Sequence, residues 1–349
     1  MTPLITEHVV QSARTTTTYL QAGPADGPVI IMVHGYPDLA TSWRHQMHLL
    51  ASMGFRVVAP NMRGYTGSTV PDLVAGYAIE ESVADLVELI DALGADKAVW
   101  IGHDCGAAAV WGLASHHPDR CLGVVGLCVP YLPQGFTLEV VAALANRKVY
   151  PADRFPFGQW GYWAYQVQYP DDSDSQLASD VESAVKMIFQ RTNSESFGTN
   201  IGGDVIAAPH GWSPILAYMK SQPISSTVLS EEDYWAYVAS ARRNGFGAIN
   251  NYYRNGDRNA AYASTAVNDG RIDMPALFIH AKYDRSCVTI GAPLAEPMRA
   301  YCADLTETVV EAGHWVQQEQ PADVNAAIVK WLATRVPTVF DTRVRAPAD

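Results

Sequence analysis

An aspartate flanked by small residues stands in the most chemically suggestive stretch of this sequence, Gly102-His-Asp-Cys-Gly106. The apolar run Val99–Ile101 before it predicts a buried strand, and the Ala-rich run Ala107–Leu113 after it predicts a helix packed on a sheet. Glycines two residues to either side of Asp104 permit a sharp strand-to-helix bend that holds the central side chain exposed. This bend usually carries a nucleophilic serine, and a carboxylate in that place would attack carbon directly and form an ester.

A second interpretation of Asp104 is that it caps the following helix, a position that aspartate favours. A nucleophile would need an oxyanion hole, which at such a bend is built from the N–H after the nucleophile and one from the loop after an early strand. Cys105 and Tyr36 occupy those two places. The nucleophile would also need a base for water, and His314 follows Asp284 in the expected order, so that Asp284 can hold the imidazole tautomer.

The elements that must position these residues are apolar runs alternating with helical segments, a pattern that predicts a mostly parallel sheet with helices on both faces, the α/β class. The predicted strands are residues 12–22, Val29–Val33, Phe55–Ala59, Val99–Ile101, Gly123–Val129, Ala276–His280 and Thr306–Glu311. The predicted helices include Leu39–Met53, Ile79–Leu93, Gln176–Arg191, Glu231–Arg243 and Ala322–Arg335.

The strand pattern stops at Pro130-Tyr-Leu-Pro133, and residues 134–269 combine helical stretches with many aromatic side chains. We therefore expect residues 1–133 and 270–336 to form the α/β core and residues 134–269 to form an inserted helical cap. Residues 337–349 are expected to be a loose C-terminal tail.

The composition excludes several classes of protein. The 349 residues are 48% hydrophobic and carry a net charge of −12, which suits a globular protein and does not favour nucleic acid as a partner. An odd count of five cysteines without a CxxC pair predicts a reducing compartment, here the cytoplasm. The N-terminus does not have the pattern of a signal peptide, and we expect no membrane span. We also expect no metal, because the adjacent His116 and His117 have no third ligand nearby in the sequence.

Together these motifs resemble those of the soluble-type epoxide hydrolases of the α/β-hydrolase fold. His34-Gly-Tyr-Pro37 is similar to their HGxP oxyanion motif, in which His34, Gly35 and Pro37 support the donor loop, and Gly102–Gly106 is similar to their nucleophile elbow. Asn251-Tyr-Tyr-Arg-Asn255 resembles the cap motif NWYRN, and Ala312-Gly-His-Trp315 resembles the histidine segment. The resemblance covers most of residues 27–335.

The resemblance implies two cap tyrosines that act as acids for the epoxide oxygen. The family's motif places the second at Tyr253. The segment Phe157–Tyr165 is similar to the first cap-helix motif and indicates Tyr162, with Tyr165 one helical turn later as the alternative. An ungapped alignment back from Pro170 would instead place Trp163 there, and Trp163 could not act as an acid. The residue after the nucleophile is often Trp in the family, whereas here it is Cys105, which predicts a more open pocket floor.

The resemblance thus predicts a cofactor-free hydrolase that converts a small apolar epoxide and water to a vicinal diol. Asp104 would be the nucleophile, His314 the general base, Asp284 its orienting acid, and Tyr253 and Tyr162 the acids. The alternatives are a haloalkane-type dehalogenase with the same Asp nucleophile and a non-catalytic small-molecule-binding member of the fold. The oligomeric state stays open, with a homodimer through the cap as one arrangement.

Overall fold

The computed structural model describes residues 3–197 and 211–341, and its centre is an eight-stranded sheet. The spatial order is β1-β2-β4-β3-β5-β6-β7-β8, in which the β1–β2 and β2–β4 pairs are antiparallel and the remaining pairs are parallel. The strands are β1 (Thr6–Gln11), β2 (Thr16–Ala22), β3 (Val29–Val33), β4 (Arg56–Pro60), β5 (Ala98–His103), β6 (Cys121–Leu127), β7 (Ala276–Ala281) and β8 (Leu305–Val310). The fold class is therefore the predicted α/β class.

Helices cover both faces of the sheet, because its central strands are apolar on both sides. The helices of the sheet region are α1 (Arg44–Ser52), α2 (Ile79–Ala92), α3 (Cys105–His116), α12 (Glu296–Tyr301), α13 (Val316–Glu319) and α14 (Pro321–Arg335). The helices between β6 and β7, which we call the cap, are α4 (Leu138–Ala143), α5 (Gly161–Gln168), α6 (Pro170–Ser179), α7 (Val181–Ile188), α8 (Ser213–Met219), α9 (Glu231–Asn244), α10 (Phe246–Asn250) and α11 (Gly256–Ala263).

The carboxyl ends of four parallel strands bring the predicted site residues to one edge of the sheet. The loop after β3 begins with His34, and Asp104 directly follows β5. Asp284 lies just beyond β7, and His314 lies just beyond β8. Because β3 pairs with β5, β7 pairs with β8, and β6 alone separates the two pairs, residues that are far apart in sequence meet at this edge.

The predictions and the structure differ in one helix, in one strand that was not predicted, and at the beginning of the tail. The single helix predicted over Gln176–Arg191 is wrong: α6 ends at Ser179, and Asp180 caps α7 by accepting a hydrogen bond from the Ser183 N–H at 3.1 Å. Strand β1 was not predicted, because its side chains are mostly exposed and polar at the sheet edge.

The beginning of the predicted loose tail is also ordered against the core. Residues 337–341 form a helical turn in which Val339 is buried, and the Phe340 ring packs on Phe55 at a centroid distance of 5.4 Å. Residues 342–349, the rest of the predicted tail, lie outside the described residues, as do residues 198–210 of the predicted cap. Among the helices described, none has the length and apolar character needed to cross a membrane.

Candidate active site

Asp104 occupies a strained bend between β5 and α3. Its backbone has φ 52° and ψ −125°, a conformation that non-glycine residues rarely adopt and that often marks functional sites. The bend also depends on glycine, since a Cβ on Gly106 would clash with the carbonyl oxygens of Val33 and His34. The Asp104 side chain is not used as a helix cap. Its carboxylate is therefore free for another role.

His314 lies between two carboxylates. Its Nε2 is 3.6 Å from Oδ2 of Asp104, and its Nδ1 is 2.9 Å from Oδ2 of Asp284. The other oxygen of Asp284 accepts hydrogen bonds from the N–H groups of Ser286 and Cys287, at 2.7 and 3.0 Å. Asp284 is only 1% exposed, so these bonds fix its carboxylate and, through it, the orientation of the imidazole.

The charges in this group stabilise one another. Burial alone would raise the pKa of Asp104 and of Asp284, but the adjacent His314 and backbone N–H donors hold both pKa values below the usual value. Burial would lower the pKa of His314, but the two carboxylates outweigh it and raise that pKa well above its usual value. The resting site therefore contains an imidazolium between two ionised carboxylates.

The loop after β3 places a backbone donor on Asp104. The N–H of Tyr36 donates a 2.8 Å hydrogen bond to Oδ1 of Asp104. The buried His34 holds this loop: its Nε2 accepts from the N–H of Met62 at 3.0 Å, and its Nδ1 lies 2.9 Å from the Gly35 carbonyl. Burial lowers the pKa of His34 to about 4, so it is a neutral structural residue.

Cys105 is the first residue of α3, where backbone N–H groups have no partner within the helix. Its side chain is buried, and burial together with the Asp104 charge raises the pKa of the thiol well above its usual value. The thiol is therefore neutral, and the backbone N–H is the group that Cys105 can offer to a developing oxyanion.

Two tyrosines from different cap segments contact each other, and the charge of Asp104 acts on both. The rings of Tyr162 and Tyr253 pack edge to face at a centroid distance of 5.8 Å. Tyr253 also packs against Tyr36 at 5.0 Å. Burial raises the pKa of both phenols well above the usual value, and the negative charge of Asp104 adds to the shift in each. Both phenols therefore keep their protons near the carboxylate.

Tyr165 and Trp163 point elsewhere. The Tyr165 hydroxyl donates to Oδ2 of Asp172 at 2.5 Å and accepts from Gln176 at 3.1 Å. The indole N–H of Trp163 donates to the backbone carbonyl of Tyr253 at 2.7 Å, and this hydrogen bond holds the backbone of that tyrosine in place. The rings of Trp163 and Tyr162 both pack against Tyr253, at centroid distances of 5.2 and 5.8 Å, and of these two residues only Tyr162 has a hydroxyl. The charge of Asp104 contributes to the raised pKa of Tyr162.

An ion pair anchors the segment that carries Tyr253. The guanidinium of Arg254 binds both oxygens of Asp174 on α6, at 2.5 and 2.9 Å. Asp174 also accepts from the side chain of Asn250 at 2.7 Å, and Asn250 accepts from the Tyr36 hydroxyl at 2.7 Å. One network thus connects the oxyanion loop to the cap tyrosine.

Sequence reasoning did not identify a second buried carboxylate, Asp38, which follows the HGxP motif directly. It is fully buried, accepts a hydrogen bond from the Tyr237 hydroxyl, and lies 3.3 Å from Nε2 of Gln317. Gln317 also contacts Nδ1 of His103 at 3.3 Å, and Nε2 of His103 lies 2.8 Å from the His314 carbonyl oxygen. The sequence signal for Asp38 was its position directly after the HGxP motif. Its partners could not be predicted, because they come from elements that are distant in the sequence.

His103, Cys128 and His314 are the group of potential metal ligands that converges within the described residues, with ligand atoms inside 4.8 Å. Hydrogen bonds account for this arrangement. Cys128 donates to the His314 carbonyl at 3.3 Å, the same oxygen that His103 contacts, while the His314 ring is held by Asp284. We therefore interpret the group as support for the His314 backbone.

Comparisons with known proteins agree with this geometry. Residues 28–321 match the family model described as the alpha/beta hydrolase fold. The chain is 34% identical over 344 residues to epoxide hydrolase A of Mycobacterium tuberculosis, covering 94% of this chain and 97% of that protein. It is 29% identical to epoxide hydrolase B of the same species, covering 93% and 98%. The crystal structure of epoxide hydrolase A from Mycobacterium thermoresistibile superposes with a TM-score of 0.80 and 32% identity, covering 95% of this chain and 99% of that one.

Proposed function

The chain belongs to the α/β-hydrolase fold family and is an epoxide hydrolase, and we propose that it forms a covalent aspartyl ester in converting an epoxide to a vicinal diol. The observation that carries this proposal is the position of Asp104. It stands at a strained bend, within reach of His314 and the Tyr36 N–H, and beside two protonated tyrosines.

In the first step an Asp104 oxygen forms a bond to a ring carbon while the bond from that carbon to the ring oxygen breaks. The electron pair remains on the ring oxygen, which takes a proton from Tyr162 or Tyr253. A phenol suits this task, because it is a stronger acid than water and can give its proton to the forming alkoxide. The two rings pack edge to face at a centroid distance of 5.8 Å, and we propose that both hydroxyls bind the same ring oxygen.

Ester formation itself converts His314 into a base. The carboxylate charge of Asp104 is one of the causes that raise the pKa of His314, and this charge disappears when Asp104 becomes a neutral ester. The imidazolium can then give up its proton, which restores the tyrosine. Asp284 remains ionised and keeps the neutral ring oriented through Nδ1.

In the second step the neutral His314 takes a proton from water, and the hydroxide attacks the ester carbonyl. The N–H groups of Tyr36 and Cys105 stabilise the oxyanion that forms. Collapse of this intermediate breaks the ester, releases the diol after proton transfer, and returns Asp104 to its ionised form beside the imidazolium. The charges return to the starting arrangement, while the Asp104 oxygen that attacked the ring leaves in the diol and the oxygen of the water replaces it in the carboxylate.

The residues around the site indicate the class of substrate. Aromatic and aliphatic side chains surround the site, so we propose an apolar, uncharged epoxide.

The five cysteines are free and buried, which supports a reducing compartment such as the cytoplasm. We propose the domain division at residues 133/134 and 269/270, since the cap helices fall between β6 and β7.

The test is to trap the ester. His314→Gln removes the base but leaves Asp104 and both tyrosines, so mixing it with styrene oxide should produce a protein whose mass has increased by one substrate molecule. The double variant that adds Asp104→Ala should show no increase. An unchanged mass for His314→Gln, or a modification that persists without Asp104, would overturn the mechanism.

A further inference from the structure

A buried carboxylate that the proposed mechanism does not use lies against residues 311–315, which we call the His314 loop. The side chain of Glu319, at the end of α13, is only 2% exposed. Its Oε2 accepts a hydrogen bond from the Gly313 N–H at 3.0 Å, and its Oε1 accepts one from the Trp315 N–H at 3.2 Å. One carboxylate therefore binds the backbone on both sides of His314.

These two bonds add to the other contacts of His314. Asp284 orients the imidazole, and His103 and Cys128 contact the His314 carbonyl oxygen. A rotation of the flanking peptide groups would still move the imidazole relative to the Asp104 ester and to the water that attacks it. Because a small displacement of a catalytic group slows its reaction strongly, the residue that fixes these peptide groups affects the rate.

The cap packs against the same loop. The Ile188 carbonyl accepts a hydrogen bond from the Trp315 indole N–H at 3.2 Å, and the Phe189 ring stacks on Trp315 at a centroid distance of 4.2 Å. A Cβ on Gly313 would lie only 2.6 Å from the Thr192 hydroxyl oxygen, so cap and loop are in close contact there as well. The His314 loop is thus held between Glu319 and the cap.

A cap cation faces Glu319. Nε of Arg191 lies 3.9 Å from Oε2 of Glu319, at a position where the arginine side chain is about half exposed. Burial raises the pKa of Glu319, whereas the Gly313 and Trp315 N–H groups and the charges of Arg191 and His314 oppose the shift. The ionised form is required for both bonds, because a protonated carboxyl group has one oxygen that acts as a donor.

We propose that Glu319 is a positioning residue for His314, which fixes the adjacent backbone so that the imidazole can take a proton from the water that hydrolyses the ester. This inference rests on the proposed function, because it assigns to His314 the role of base in the second step. The first step uses Asp104 and the cap tyrosines instead. Loss of the Glu319 contacts should therefore slow ester hydrolysis and leave ester formation nearly unchanged.

The experiment measures both steps with styrene oxide in single-turnover reactions that are quenched and analysed by mass spectrometry. Glu319→Gln keeps the shape of the side chain but offers one acceptor oxygen and an NH₂ group, so one of the two loop N–H groups faces another donor. Ester hydrolysis should slow by about tenfold or more, while ester formation changes by less than about threefold, and the ester should accumulate.

Glu311→Gln is the matched control, since Glu311 lies three residues before His314 but is exposed and paired with Lys282. Both steps should keep their natural rates in this variant. Hydrolysis at the natural rate in Glu319→Gln would overturn the proposal, and so would equal slowing of both steps, which indicates a general loss of structure.

Arg191→Gln, at a half-exposed position, tests the same contact without the risk of misfolding. Removing this cation favours protonation of Glu319, and hydrolysis should slow by about two- to fivefold with ester formation unchanged. Should Glu319→Gln not fold, this variant decides, and an unchanged hydrolysis rate overturns the proposal. Ester trapping in His314→Gln is scored separately, so a failed ester mechanism and a failed role of Glu319 give different results.

Discussion

Two buried aspartates near the site have pKa values displaced in opposite directions, and their contacts explain the difference. Asp104 faces the imidazolium of His314 and the Tyr36 N–H, which hold its pKa below the usual value despite burial. Asp38 has hydrogen-bond donors, but the main causes of its pKa shift include no cation among the described residues, and burial raises its pKa to about 7. One carboxyl group is thus ready as a nucleophile, while the other is partly protonated near neutral pH.

Asp38 should therefore make stability depend on pH. Its pKa is 3.8 in the unfolded chain and about 7 in the fold, so between these values the folded state holds a proton that the unfolded state has lost. Stability must fall as pH rises through this window, by about 2 kcal/mol from pH ~5 to ~7. Asp38→Asn removes this contribution, and urea unfolding at both pH values should show a smaller loss for the variant. Equal losses would contradict the assignment.

The contributions of the two proposed acids can be measured separately with Tyr→Phe variants, each of which removes one hydroxyl oxygen. Tyr162→Phe and Tyr253→Phe should each slow ester formation by about a hundredfold, the usual range for general acid catalysis, measured in single-turnover experiments. Tyr165→Phe should leave ester formation unchanged, because its hydroxyl is bound to Asp172. If ester formation were slow in Tyr165→Phe and unchanged in Tyr162→Phe, Tyr165 rather than Tyr162 would be the first acid.

At the scale of elements, the sequence predicts the parts whose signal is local. The bend at Asp104 and the strands β3, β5 and β7 follow from small residues and apolar runs. The break at Asp180 was missed, because the pattern was interpreted as one continuous helix and the aspartate is a capping residue. The partners of Asp38 and the direction of Tyr165 depend on contacts between distant elements, which no local pattern contains.

The contacts of Asp174 on helix α6 should affect the rate of ring opening more than the rate of ester hydrolysis. Its Asp174 holds Arg254 and Asn250, and through them the segment of Tyr253, whereas Asp284 and His314 lie on loops of the sheet. Asp174→Ala should slow ester formation by about tenfold or more, since small displacements of a positioned group are costly. Ester hydrolysis should change by less than about threefold.

Asp172→Ala on the same helix is the matched control, because Asp172 binds Tyr165 rather than the cap motif. It should leave both half-reactions close to those of the natural enzyme. Similar slowing of both half-reactions in Asp174→Ala would indicate a general loss of structure rather than a positioning role.

At the scale of the whole molecule, cap and sheet share one hydrophobic core. One cluster joins the sheet residues Ile31 and Trp100 to the cap residues Trp163 and Leu177, while the opposite face of the sheet packs under α1 and α14 in a second cluster. Polar contacts also cross the boundary, among them Arg44 with Asp233 at 2.8 Å. The cap therefore belongs to the same hydrophobic cluster as one face of the sheet, together with α2 and α3.

Damage confined to the cap should consequently destabilise the sheet. Leu177 is fully buried on α6, and Leu177→Ala should cost about 2–5 kcal/mol by leaving a cavity. Leu332→Ala on α14, packed on the other face of the sheet, is the matched substitution. Because the shared core couples cap and sheet, both variants should lower the protection of β5 amides against hydrogen exchange by the same amount as that of α9 amides. A Leu177→Ala variant in which α9 loses protection while β5 keeps it would show that the cap unfolds independently, and the shared core would then not be the source of cooperativity.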